Sequence, residues 1–136
     1  MEYALLTSTL ALALGNALGG VSGALPATAK QVSVAVTKTA LAANVPPAQA
    51  RRALARAPYK RQSLRYLYAA GWIAGKRDRI TCAFVQLNAS AADAAARLAL
   101  SRIPGRAKLL RRARLTERAA RTAVARGFRA ACGAPG

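Results

Sequence analysis

The side chains best equipped for chemistry in this chain are its arginines. It holds seventeen Arg and five Lys against four carboxylates. A guanidinium is a planar fork that matches two oxygens of a phosphate or carboxylate, and it stays charged at any physiological pH. The pattern is densest near the C-terminal end. Indexed at about 100° per residue, Arg111, Arg114, Arg118, Arg121 and Arg129 project within one arc, and Lys108, Arg112 and Arg126 widen it. Leu110, Ala113, Ala120, Val124, Phe128 and Ala131 fill the opposite side. The spacing predicts a single helix over residues 106–131, packed on one face and carrying a cationic ridge on the other. A merely solvated face mixes signs, whereas this one holds only Glu117. Phosphate is the ligand such a ridge fits.

A second basic cluster reads RRALARAPYKRQSLRYLY, residues 51–68. Arg51 and Arg52 open it; Arg52, Arg56 and Lys60 recur four apart, as do Arg61 and Arg65. Tyr59, Tyr66, Tyr68 and Trp72 are interleaved with these cations. Basic residues among aromatics can track a single strand and stack its bases. In an Ala-rich chain, however, large rings are the scarce core material. We therefore expect the rings inside and the cations on phosphates. Gly71-Trp72-Ile73-Ala74-Gly75-Lys76 misses the phosphate-loop pattern: it is one residue short, and no Ser or Thr follows the lysine. Lys76, Arg77 and Arg79 read instead as a basic turn between helices. Asn88-Ala89-Ser90 matches a glycosylation acceptor but falls inside a predicted helix.

Several chemistries have no residues to carry them. The chain has no His, so the usual proton shuttle is missing. Glu2, Asp78, Asp93 and Glu117 are scattered and suggest neither an acid/base pair nor a hard-metal cage. Two cysteines without His do not make a zinc site. The expectation is no enzyme, no cofactor and no metal. Cys82 and Cys132 either form one disulfide tying the last helix to the preceding one or remain two buried thiols.

These residues must be positioned by helices. Ala, Leu and Arg are strong helix formers, and the fold class expected is all-α, elongated, with several Pro-interrupted helices. Val32, Val34 and Val36 alternate like a strand, but Ala-rich flanks favour a helix over 28–43. Pro26 and Pro46-Pro47 are breaks, with Pro47 or Ala48 opening the next helix. Residues 48–75 form a basic helical region kinked at Pro58. Residues 80–102 form an amphipathic helix with Ile80, Phe84, Leu87, Ala91, Ala94 and Leu98 on its apolar face and an Asp93–Arg97 pair outside. Pro104-Gly105 ends it, and residues 133–136 are a loose end.

Charge divides the chain in two. Residues 1–50 hold Lys30, Lys38 and Glu2, a net of +1; residues 51–136 hold twenty Lys/Arg and three carboxylates, a net of +17, which together give the whole chain's +18. An apolar Ala/Gly-rich arm, 1–47, thus precedes a basic body, 48–136. Residues 4–25 are uncharged and span roughly 33 Å as a helix, long enough for a bilayer. Thr, Ser, Asn and Gly dilute the stretch. Gly15, Gly19 and Gly23 line one helix face and suit close packing against a neighbour or in lipid. Gly71 and Gly75 repeat the spacing in a segment too short to span, so close helix packing is the more general reading. With Glu2 and no basic residue at its start, the N-terminus makes a poor secretory signal.

So much like charge requires an anionic partner. Duplex DNA carries a charge per ~1.7 Å, so the body would neutralise roughly eight base pairs. That suits stoichiometric coating, and many Arg with few Asn or Gln favour backbone contact over base readout. The length, the breaks at Pro26, Pro46-Pro47, Pro58 and Pro104, and the basic stretches resemble the small all-helical major coat proteins of filamentous and rod-shaped archaeal DNA viruses. That resemblance implies duplex DNA wrapped between helices, self-assembly with like subunits, residence in a virion and contact of the arm with neighbours or a lipid envelope. Two other expectations stand beside it: a single-span membrane subunit with its polybasic part facing anionic lipid, and an accessory protein of a large ribonucleoprotein.

Overall fold

The computed structural model describes residues 24–77, 82, 89–101 and 103–133. Within them the chain is all-α. Six helices follow in order: α1 Ala29–Ala42, α2 Pro47–Ala55, α3 Gln62–Arg77, α4 Ala89–Ser101, α5 Arg106–Arg112 and α6 Glu117–Ala131. The glycines at 15, 19 and 23, the apolar stretch up to residue 23, Arg79 and residues 80, 81 and 83–88 of the expected amphipathic helix lie outside the described residues. No described helix is long and apolar enough to cross a membrane.

Thr28 opens α1 with a capping box: its hydroxyl accepts from Gln31 N (3.1 Å), and the Gln31 side chain accepts from Thr28 N (3.3 Å). The valines then behave helically. Val32 and Val36, four apart, are fully buried, and Val34 faces outward. The helix closes on Asn44 at φ 56°, where Val45 N returns to Ala40 O (2.9 Å) and buries Val45 beneath the turn. Pro47 then starts α2, as expected of proline in a first turn. Pro58 does not kink a continuous helix. It stands in the linker between α2 and α3, because the α2 ladder ends at Ala55 and the next does not begin until Gln62.

α3 is the central helix, buried almost all round from Tyr66 to Gly75. Against it lies α6, so close that backbone meets backbone. A Cβ on Gly71 would overlap the Val124 carbonyl, and one on Gly127 would lie 2.7 Å from Trp72 N and overlap the Tyr68 carbonyl. One continuous core runs from Leu25 to Cys132, with alanine its commonest residue and Tyr66, Phe128, Leu67 and Ile73 as its largest fully buried pieces.

Two further expectations are corrected. Residues 106–131 are not one helix. α5 ends at Arg112, Arg114 turns at φ 57°, Leu115 N closes on Leu110 O (2.9 Å), and Thr116 caps α6 by accepting from Ala119 N (3.0 Å). On an unbroken helix Leu115 would stand inside the arginine arc; the turn buries it. The buried face of α4 is also different. Ala91 is buried as expected, but it is joined inside by Ala92, Ala95, Ala96, Ala99 and Leu100, while Ala94 is exposed and Leu98 is 42% exposed. A helix with alanine on every side has little apolar bias of its own, so α6 selects the face that lets the two helices approach.

Candidate nucleic-acid interface

Cations on this fold divide into those used by the fold and those facing solvent. Arg61, in the linker before α3, donates to the carbonyls of Arg114 (3.0 Å) and Ala113, closing the C-terminal end of α5. Arg65 does the same for α2 through the Leu54 carbonyl (3.0 Å) and is half-buried. Helix C-termini present unpaired carbonyls and partial negative charge, which explains both placements. Arg121 is half-buried with its Nε 2.8 Å from Asp93, which also meets Arg97 at 3.7 Å. Arg106 pairs with Glu117 at 2.8 Å.

The remaining predicted residues are exposed. Arg51 and Arg52 lie on α2, with Arg51 reaching the Thr37 hydroxyl (3.2 Å), and Arg56 is the C-cap of that helix. Lys60 is in the linker; Lys76 and Arg77 end α3 within the helix rather than in a turn. Lys108, Arg111 and Arg112 lie on α5, Arg114 on the turn and Arg118 on the first turn of α6. The expected ridge is therefore a corner: α5, the Arg114 turn and Arg118 form its cationic part, and Arg121 has been drawn back to Asp93.

The aromatic cluster is mostly core, as expected. Tyr66 is fully buried and Tyr68 is nearly so, while Tyr59 and Trp72 are half-buried. Burial pushes the Tyr66 hydroxyl well above its usual range. The Thr39 hydroxyl beside it eases the shift but donates to Ala35 O (2.8 Å), and no described group meets hydrogen-bond geometry with the Tyr66 hydroxyl. Burial and Tyr59 also push Tyr68 up, against the pull of Arg126 and Arg56. What sequence reasoning missed is a groove of about 220 Å³ lined by Gln49, Arg52, Arg56, Tyr68, Trp72 and Ala130. One signal for it was present: Tyr68, Trp72 and Lys76 are spaced by four and share one side of α3.

Cys82 and Cys132 are joined as a disulfide with Cα atoms 5.1 Å apart, tying the segment after α3 to the cap of α6. No group of three or more His, Cys, Asp or Glu assembles among the described residues. The chain matches no protein-family model, no curated protein and no solved structure.

Proposed function

We propose that this chain is a structural nucleic-acid-packaging protein, of the coat or nucleocapsid type, that neutralises the phosphates of duplex DNA without reading sequence and assembles with copies of itself. It works by contact, not catalysis. One observation carries the reading. Both described carboxylates, Asp93 and Glu117, are already held by Arg97, Arg121 and Arg106. Exposed Arg52, Arg56, Lys76, Arg77, Lys108, Arg111, Arg114 and Arg118 therefore face outward with no carboxylate among the described residues paired to them. Anion must come from outside the chain, and a regular array of phosphates supplies it at the required density.

The test is the salt dependence of binding to labelled duplexes of two unrelated sequences. If six to ten phosphates are contacted, affinity should fall roughly 10³- to 10⁵-fold between 50 and 200 mM salt, equally for both. Changing Arg111, Arg114 and Arg118 to Gln should lower the log–log slope by about 0.9 per lost contact. Affinity that is flat over that range, or that favours one sequence strongly, would overturn the reading.

A further inference from the structure

We propose that the groove between α2, α3 and α6 holds one unpaired nucleotide of a DNA or RNA strand, its base against Trp72 and its phosphate on Arg52 and Arg56. The inference rests on the phosphate-binding reading and adds a single-strand site to it.

Trp72 is the one tryptophan of the chain, and it is left half-exposed in a fold short of large apolar pieces. A ring of that size normally goes to the core or to a binding surface. It lines the groove together with Tyr68 of α3, Gln49, Arg52 and Ala53 of α2, the C-cap Arg56 and Ala130 of α6. Two more cations stand over the aromatics: Lys76 Nζ is 6.0 Å from the Trp72 ring centre, and Arg126 is 5.8 Å from that of Tyr59. Tyr59 in turn packs edge-on to Tyr68, with ring centres 6.3 Å apart. Among the described residues no carboxylate lines the groove. Bare phosphate would explain the arginines but not the rings; an apolar ligand would explain the rings but not the two lining arginines. A nucleotide presents both a flat face and a charge, and the Gln49 amide can donate to or accept from a base edge. At about 220 Å³ the groove is below the roughly 300–1,000 Å³ of ordinary small-molecule sites, so it fits one base rather than a larger cofactor. A paired base keeps its faces inside the duplex, so the occupant is unpaired.

The experiment titrates the full-length protein with oligo-dT, oligo-rU and an abasic deoxyribose-phosphate oligomer of equal length, following Trp72 emission and the anisotropy of an end label. Either base-bearing oligomer should quench Trp72 saturably and bind about 5- to 100-fold more tightly than the abasic strand. Which of the two quenches identifies the natural strand. Trp72→Leu should abolish that preference, Trp72→Phe should retain part of it, and Arg52→Gln with Arg56→Gln should weaken all three ligands alike. Helix content by circular dichroism confirms that each variant folds. Equal affinity for abasic and base-bearing strands, without quenching, overturns the groove proposal. If duplex binding still falls steeply with salt in that case, the packaging reading stands alone; if duplex binding is absent too, both fail.

Discussion

Gly127→Ala is the sharpest probe of how this chain folds. In a helix interior the change should stabilise by about 1 kcal/mol, because alanine is the better helix former. Here the new Cβ would sit 2.7 Å from Trp72 N and 3.1 Å from Gly71 C, all backbone, where ordinary contact begins near 3.4 Å. Backbone cannot rotate away, so α6 must retreat from α3 by at least about 0.7 Å, and by more where the Cβ overlaps the Tyr68 carbonyl. A gap of that size forfeits a quarter to a half of each dispersion contact across the seam. Overpacking that backbone cannot relieve costs about 1–3 kcal/mol and occasionally more, so against the helix-propensity gain the net destabilisation is about 1–2 kcal/mol. Melting should fall by roughly 3–10 °C for a chain of this size. Circular dichroism against temperature measures it, with Ala94→Gly on the exposed side of α4 setting the helix-propensity scale at about 1 kcal/mol. A Gly127→Ala protein that melts at or above the parent would show that the helices do not touch through their backbones.

Reducing the Cys82–Cys132 bond, which closes a 50-residue separation, should cost roughly 4 kcal/mol through the freedom returned to the unfolded chain. An unchanged urea midpoint with reductant would count against the bond. Tyr66→Phe removes a buried hydroxyl with no hydrogen bond, so stability should hold or rise by about 1 kcal/mol. The same residue sets an alkaline limit. Its ionisation is raised above the ordinary value of 10.0, so the tyrosinate favours the unfolded chain, and stability present below that pH is lost above it. Tyrosinate absorbance and helix signal should change together, with the transition moving upward in Tyr66→Phe; ionisation of Tyr66 inside an intact fold would contradict its burial. Arg114→Gly relieves a side chain held at φ 57° and should stabilise by about 0.5–1 kcal/mol while lowering the salt slope of DNA binding by about 0.9. A fall in melting temperature would argue for a continuous helix through that position.

Much of this fold was legible because its punctuation is written in proline and glycine. Pro47 and Pro104-Gly105 act where they stand, and the Gly71/Gly75 spacing marks the closest helix seam. The turn at Arg114 carries no such mark. Its cause is the burial of Leu115, a tertiary effect, although a leucine placed inside an arginine arc and a Thr116-Glu117 pair were its traces. The face of α4 was illegible because alanine surrounds it. Within the candidate interface, residue type identified the cations but not their uses. Nothing in the sequence says that Arg61 and Arg65 close helix ends 53 and 11 residues away. Nor could it bring Gln49, Trp72 and Ala130 to one groove.

The separation of the two arginine populations follows from the poverty of the core. A chain built on alanine buries little area per residue, so it gains cohesion from close backbone approach at Gly71, Gly75 and Gly127 rather than from large side chains. Around the close pair of α3 and α6, the shorter helices α2 and α5 leave terminal carbonyls that need donors. Long, forked arginines supply these from the surface, as Arg61 and Arg65 do, without entering the core. The arginines left over cannot retreat inside, because a charge without a partner is too costly to bury. They are concentrated on α2, the end of α3 and the α5–α6 corner, where they repel one another until an external anion intervenes. The same economy of large residues makes a half-exposed Trp72 hard to explain as packing alone, which is why the groove beside it, rather than the corner, is where a base would be held.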